Sequence, residues 1–133
     1  MIDIKILFAI LIIHWIADFV LQTDAQAKGK SNNWKDLLHH TFTYSSIWLA
    51  FITIICILGV IFNFTREDVG WSTSILYFPL ITFILHTITD YYTSRVNSQL
   101  WKDGKTHDFF VAIGFDQLLH YIQLILTYYY LTN

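Results

Sequence analysis

Four long apolar segments occupy most of this chain of 133 residues and constrain its fold more than any other feature. An α-helix needs about 20 mostly apolar residues to span the hydrocarbon core of a bilayer. Segments of about that length run over residues 4–22, 37–62, about 74–92 and about 109–131. They predict an all-α chain that forms a single transmembrane domain over residues 1–133, folded as a bundle of four transmembrane helices.

The composition agrees with a chain that lies in lipid. Hydrophobic residues make up 55% of the sequence, and charged residues only 14%, well below the quarter that is usual in soluble domains. The net charge of −2, without a basic stripe, argues against a nucleic-acid partner. The single cysteine, Cys56, excludes an intramolecular disulfide and a zinc site built on thiolates. The predicted partner is therefore the lipid bilayer.

Lysine and arginine are distributed unevenly between the connectors. Residues 23–36 and 93–108 contain six of them, whereas the opposite side of a four-span bundle contains two. Short loops rich in Lys and Arg stay in the cytoplasm. The sequence thus predicts a multi-pass protein with these two connectors in the cytoplasm and both termini outward. The six residues are Lys28, Lys30, Lys35, Arg95, Lys102 and Lys105, and the other two are Lys5 and Arg66.

Two motifs occur twice in the same order. A His-x3-Asp motif begins at His14 and recurs at His86, and a Trp-Lys-Asp-x3-His motif begins at Trp34 and recurs at Trp101. This order indicates a duplication of one helical hairpin, with the two copies related by an axis along the membrane normal. The predicted repeats cover about residues 1–62 and 72–133.

Ionisable and amide side chains interrupt the apolar segments. Such groups are costly inside a membrane, and by default they face the bundle interior and mark function. Their spacing of four places them on one face of each helix. With a rise of about 1.5 Å per residue, all of them fall in the cytoplasmic half of the bilayer. They are His14, Asp18 and Gln22 on the first segment, His40 on the second, His86 and Asp90 on the third, and Asp116, Gln117 and His120 on the fourth.

Imidazole and carboxylate groups are ligands for divalent zinc, manganese or iron, and helical bundles assemble metal centres from such side chains on facing helices. A metal ion is therefore the predicted cofactor. Asp116 is alternatively a general base, Gln22 and Gln117 are expected to orient water or substrate, and Arg95 is a candidate for binding an anionic substrate. The predicted metal ligands are His14, Asp18, His40, His86, Asp90, Asp116 and His120.

The chain contains no nucleophile motif of the GxSxG type, no Cys/His pair and no phosphate-binding loop. Hydrolysis would therefore have to use metal-activated water, which predicts a metal-dependent membrane hydrolase. The main alternative is a transporter or channel subunit for a cation or small metabolite, which would require a homo-oligomer because four spans are few. A third hypothesis is a non-catalytic interaction protein of a phage or defence system. Finally, the His–Asp pairs could be structural, joining helices by hydrogen bonds in lipid.

Three strings in the sequence resemble a known family. They are His14-Trp-Ile-Ala-Asp-Phe-Val-Leu-Gln-Thr, Trp34-Lys-Asp-Leu-Leu-His39 and Phe115-Asp-Gln-Leu-Leu-His120. Together they resemble small bacterial and phage membrane proteins known only as a domain of unknown function, and the resemblance covers nearly the whole chain. It implies a helical inner-membrane protein whose polar residues form the family's site, without supplying an activity. It also implies one histidine near the start of the second span, so His39 and His40 are both candidates.

Overall fold

The structure, a computed structural model, describes residues 2–63 and 73–133, which are mostly helical and contain no β-strand. Five α-helices occur in this part of the chain, so the predicted all-α class is confirmed. A π-helical turn, Ile16–Val20, continues the first helix, and a 3₁₀ turn, Thr73–Tyr77, precedes the fourth. The α-helices are α1 Ile4–Trp15, α2 Asp24–Gly29, α3 Trp34–Ile61, α4 Phe78–Lys102 and α5 Thr106–Thr132.

Three helical segments are long and apolar enough to cross a membrane, namely Trp34–Ile61, Thr73–Lys102 and Thr106–Thr132. The first predicted span is shorter, because it consists of 12 α-helical and 5 π-helical residues. At about 1.5 Å per residue it reaches about 25 Å, somewhat less than the roughly 30 Å of a hydrocarbon core. That this first segment spans the membrane, which would make four spans in all, therefore stays a prediction.

The outer faces of the long helices are apolar. Phe42 and Val60 on α3, Leu80 on α4 and Phe110 on α5 are all more than half exposed. Soluble monomers rarely present large continuous apolar surfaces. This exterior, together with the three long apolar helices, is consistent with a membrane protein.

A cluster of buried apolar residues, here called the apolar core, fills one end of the bundle. The indole of Trp48 packs edge-on against Phe78, with ring centroids 5.1 Å apart. Helices α1, α3, α4 and α5 and the 3₁₀ turn all contribute to it, so it joins both halves of the chain. The apolar core consists of Ile10, Ala17, Tyr44, Trp48, Ile52, Ile75, Phe78, Leu124 and Tyr128.

The third apolar segment ends about ten residues before its helix does. It was predicted to end near Tyr92, but α4 continues to Lys102, which reduces the predicted connector 93–108 to a turn at 103–105. Polar side chains support this extension, since Thr93 Oγ1 donates to the carbonyl of Thr89 at 3.0 Å. Hydropathy marks where the apolar surface ends and not where the helix ends. Gly104, with φ of 69°, supplies the left-handed residue that ends the helix.

The connector 23–36 contains a short helix that apolar periodicity did not predict. Thr23 and Gln26 form a capping box at the start of α2. The buried Gln26 also contacts the next long helix, with its Nε2 atom 2.8 Å from Nδ1 of His39. These contacts fix α2 against α3 and thereby fix the position of Lys30, which follows α2 directly.

The duplication stays a prediction. His14 and His86 do lie on the first long helix of their hairpins, as the repeat requires. The two Trp-Lys-Asp motifs, however, differ in local structure, because Trp34 begins α3 whereas Trp101 lies in the last turn of α4. Most of the connector predicted at 63–73, including Arg66, lies outside the described residues.

Candidate metal centre

Six buried side chains from four different helical segments meet in the bundle and form what we call the central cluster. The π-helical turn contributes Asp18, and its wider winding is marked by the bond from the amide of Leu21 to the carbonyl of Ile16 at 3.0 Å. Single π-helical turns are rare and are frequent at functional sites. The central cluster consists of Asp18, His40, His86, Asp90, Asp116 and His120.

Four atoms of the central cluster lie within 4.8 Å of one another, and five of their six pairs are 3.0–3.5 Å apart. Nε2 of His40 is 3.0 Å from Oδ1 of Asp18 and 3.2 Å from Oδ2 of Asp90. Nε2 of His86 is 3.4 Å and 3.5 Å from the same two oxygens. The two Nε2 atoms are themselves 3.2 Å apart. Ligands about 2.0–2.1 Å from a tetrahedral zinc ion are separated by about 3.3–3.4 Å, so these atoms have the spacing of a ligand set.

Hydrogen bonds alone cannot account for this arrangement. Each Nε2 atom carries at most one hydrogen, and an ionised carboxylate has none to donate. The five close pairs formed by His40, His86, Asp18 and Asp90 therefore share at most two hydrogens. A cation at the centre of the four atoms would accept one lone pair from each of them.

A second group shares Asp90 with the first. Nε2 of His120 is 3.3 Å from Oδ1 of Asp90 and 3.3 Å from Oδ1 of Asp116. The Asp90 carboxylate thus presents Oδ2 to one group and Oδ1 to the other. Oδ1 of Asp116 is buried and makes no hydrogen bond to the described residues. A shared carboxylate between two ligand sets is the arrangement of a two-metal site, where the ions lie about 3.5–4 Å apart.

Lys30 supplies an ammonium group at the edge of the central cluster. Its Nζ atom donates to Oδ2 of Asp90 at 2.8 Å and lies 3.5 Å from Nε2 of His40. Burial lowers the pKa of Lys30, but the nearby Asp90 and Asp18 carboxylates raise it by more, so the pKa lies above its ordinary value. The side chain is therefore charged, and it neutralises part of the negative charge of the three carboxylates.

His14 lies beside the central cluster and orients it. Nε2 of His14 donates to Oε1 of Gln117 at 2.8 Å, while the Tyr44 hydroxyl donates to Nδ1 at 2.9 Å. Nε2 of Gln117 then donates to one oxygen of Asp18 and one of Asp116, each at 3.2 Å. Both ring nitrogens of His14 are engaged, and the residue belongs to neither ligand group. The structure thus assembles six of the seven predicted metal ligands and gives His14 and Gln117 an orienting position.

The two adjacent histidines of α3 have different surroundings. His40 is fully buried in the central cluster, and its Nδ1 atom lies 3.1 Å from the side-chain amide of Gln22. His39 points away and contacts Gln26 of α2. Metal-binding histidines usually donate a hydrogen bond from their second ring nitrogen. A metal at Nε2 of His40 would therefore require a hydrogen on Nδ1 and the Gln22 side chain turned so that its amide oxygen accepts it. Gln22, predicted to orient water or substrate, contacts a ligand histidine instead.

Ring stacking fixes the plane of His86. Its ring stacks on Tyr44 with centroids 3.9 Å apart and on His120 with centroids 4.2 Å apart. Tyr44 was not singled out from the sequence, although it lies one turn after His40 on the same face of α3 and this spacing is a usable signal. Lys30 was also missed as a member of the site, and no local pattern could have found it, because its position depends on how α2 packs.

Two further residues lie away from the central cluster: Arg95, and His107, which ends the second Trp-Lys-Asp-x3-His motif. The guanidinium of Arg95 lies over the ring of Tyr91, 3.7 Å from its centroid, and donates to the Tyr91 carbonyl. His107 is exposed in the first turn of α5. The structure therefore does not bring Arg95, predicted to bind substrate, to the metal ligands.

An open cavity of about 660 Å³ adjoins the central cluster on the side of the connectors 23–36 and 93–108. Asp18, Asp116 and Gln117 form part of its wall, so two candidate ligands are accessible from it. Lysine, aromatic, serine and asparagine side chains form most of the rest. A cavity of this size lies within the roughly 300–1,000 Å³ that is usual for ligand sites.

Comparison with known proteins gives a family but no activity. No curated protein and no solved structure matches the chain. The family described as "Protein of unknown function (DUF3307)" matches residues 6–133, which include all six residues of the central cluster. Since this match spans nearly the whole sequence, the chain belongs to the DUF3307 family.

Proposed function

We propose that this protein is an integral membrane hydrolase with a divalent metal centre. The observation that carries the proposal is the set of four atoms on Asp18, His40, His86 and Asp90, separated by 3.0–3.5 Å in the five pairs described above. Nitrogen and oxygen ligands of this kind suit zinc, manganese or iron. Buried histidines and carboxylates at such spacing, with too few hydrogens to join them, support a bound cation.

The second group supports a centre with room for two ions. Asp90 would bridge them, and Asp116 and His120 would complete the second ligand set. Oδ1 of Asp116 accepts no hydrogen bond from the described residues, and its close polar neighbour is Nε2 of His120 at 3.3 Å, the other ligand of this group. A bound divalent ion would supply water of lowered pKa at neutral pH. Gln117, bonded to both Asp18 and Asp116, would keep their remaining lone pairs directed into the centre.

The cavity supports hydrolysis over a purely structural ion. Asp116 lines it and also belongs to the second group, so a substrate in the cavity would lie next to the ligand set. If only the first group binds an ion, Asp116 is instead our candidate for the general base, and the Oε1 atom of Gln117 is our candidate for a group that orients water. A closed site with no cavity beside it would instead favour a structural ion.

A metal-free ion-pair network is the competing explanation, and Lys30 is the observation in its favour. The ammonium of Lys30 already offsets one carboxylate charge through Asp90. If the central cluster is only such a network, Lys30→Met should destabilise the fold, because a buried charge loses its partner. If the cluster binds metal, the same variant should bind the ion at least as tightly, because the ammonium competes for an oxygen of Asp90.

The test is elemental analysis of wild type and Lys30→Met, purified in detergent without chelator, with thermal unfolding measured with and without added zinc or manganese. We expect at least about one ion per chain in both proteins and stabilisation by the metal. Wild-type protein that is folded but holds less than about a tenth of an ion, with no shift of unfolding by metal, would contradict the proposal. If the protein binds metal but hydrolyses none of a panel of phosphate and carboxylate esters, transport or a structural ion would be favoured instead.

The orientation is part of the same proposal. The Lys/Arg count supports a cytoplasmic location for the connectors 23–36 and 93–108, in the cell inner membrane, with both termini outward. Cysteines placed at Asn32 and Asn63 in a Cys56→Ala background should react from opposite faces of the membrane. Removing Cys56 is necessary because it is exposed. Reaction of position 32 with an impermeant reagent added outside intact cells would reverse the orientation.

A further inference from the structure

The cavity beside the central cluster has two chemically different ends. Its inner end is formed by the acidic and amide groups of Asp18, Asp116 and Gln117. Its outer end carries Lys28 of α2 and Lys102, the last residue of α4, which face the same space, and Lys30 lines the cavity as well. With divalent ions bound at the inner end, positive charge would border the cavity on both sides. Such a site suits a compact, multiply charged anion, and phosphate is the anion that lysine and divalent metals commonly bind together.

One side of the remaining wall is aromatic and apolar and continues onto the outer surface of the bundle, while serine and asparagine side chains line another part. Phe19, Trp101 and Phe110 line the cavity and are each roughly half or more exposed. Phe109 and Ile113 extend the same wall along α5. Aromatic side chains next to lysines are typical of the membrane interface, where a lipid headgroup meets its acyl chains. A water-soluble anion without an apolar part would make no hydrophobic contact with these aromatic side chains.

We propose that the cavity binds the terminal phosphate of an anionic membrane lipid, with the headgroup between the central cluster and the two lysines and the acyl chains along the aromatic wall. This inference rests on the proposed function and names its substrate class. Hydrolysis of such a monoester would form one bond from water oxygen to phosphorus and break the bond to the lipid oxygen. The water proton would pass to that oxygen, leaving inorganic phosphate and a lipid alcohol.

The two outer lysines of the cavity, Lys28 and Lys102, have a matched control close by in the sequence. Lys35 and Lys105 are exposed and do not line the cavity, so Lys28→Gln with Lys102→Gln can be compared with Lys35→Gln with Lys105→Gln. Both double variants remove the same charge. The measurement is binding of phosphatidic acid, phosphatidylcholine and glycerol phosphate to metal-loaded protein in neutral detergent, followed by native mass spectrometry, together with phosphate release and metal content.

We expect phosphatidic acid to bind wild type and the control pair alike, and the cavity pair at least about tenfold more weakly, because each lysine contributes a charge-assisted bond. Metal content should be the same in all three proteins. Equal binding of glycerol phosphate would show that the lipid chains are irrelevant and overturn the lipid assignment. Equal losses in both double variants would also overturn it, since general charge attraction would then suffice. Full metal content without binding of phosphatidic acid would refute this inference alone, whereas absence of metal would refute the proposed function.

Discussion

The two ends of the bundle are built by the same helices with opposite chemistry. Helix α3 contributes Trp48 to the apolar core and His40 to the central cluster, and α4 contributes Phe78 to one and Asp90 to the other. In the apolar core, shape decides the packing, and few polar atoms need partners. In the central cluster, nearly every atom has several close polar neighbours and packing alone would leave charges unsatisfied. One helix can therefore serve stability at one end and ligand binding at the other.

Tyr44 is the boundary between these regions. Its ring belongs to the apolar core and stacks on His86, while its hydroxyl donates to His14. A phenol suits this place because it combines a large apolar ring with one hydrogen-bonding group. The contrast between the two ends predicts that stability and metal content can be changed separately by substitutions.

The largest effect is expected from Asp90→Ala, because Asp90 is shared by both ligand groups. The variant should lose bound metal altogether and should be destabilised by about 3–5 kcal/mol, since Lys30 loses its buried partner. Elemental analysis and thermal unfolding in detergent measure the two effects. Asp108→Ala, an exposed acidic residue in the first turn of α5, is the control and should keep its metal. Normal metal content in Asp90→Ala would contradict the assignment of the central cluster as the metal site.

Trp48→Ala should show the opposite behaviour. Loss of a buried indole costs about 3–5 kcal/mol in folding stability, but the ligand atoms remain, so metal content per folded chain should not change. The exposed Trp15 is a matched control, and Trp15→Ala should have a much smaller effect on unfolding. If folded Trp48→Ala protein had lost its metal, the apolar core would be required for metal binding, and stability and metal content could not be changed separately.

A smaller effect is expected from Gln22→Ala, which removes the amide beside Nδ1 of His40. Groups that orient a ligand histidine typically contribute about 10–100-fold to metal affinity. Competition with a fluorescent chelator would measure this change. Gln99→Ala is the control, because Gln99 is exposed and bonds only Asp103 among the described residues. An unchanged affinity in Gln22→Ala would mean that the His40 ring is oriented by packing alone.

The smallest effect is expected from His39→Ala. This residue loses only its contact with Gln26, a cost of about 0.5–1.5 kcal/mol, and metal content should stay at the wild-type level. His40→Ala, one position away, should lose the metal. Parallel elemental analysis of the two variants sharpens the assignment of the site histidine, and loss of metal from His39→Ala would contradict it.

Much of the central cluster could be predicted from spacing along single helices. The His-x3-Asp and Asp-x3-His patterns place their side chains on one face, and charged groups in apolar helices must face the interior. Six of the seven predicted ligands therefore meet. His14 could not be distinguished from them, because whether an imidazole faces a metal or an amide depends on the neighbouring helix, here on Gln117 of α5.

The sequence by itself determined the helical class, the long apolar helices and the helix faces on which polar residues lie, since each follows from local periodicity and from the cost of charge in lipid. Only the tertiary structure decided that Asp90 is shared, that Lys30 reaches it from a connector 60 positions away, and that His40 rather than His39 faces inward. Those outcomes depend on how α2 packs on α3 and how α3 is rotated against α4. The packing of α2 and the rotation of α3 depend on contacts between helices, which the residue spacing within one segment does not reveal.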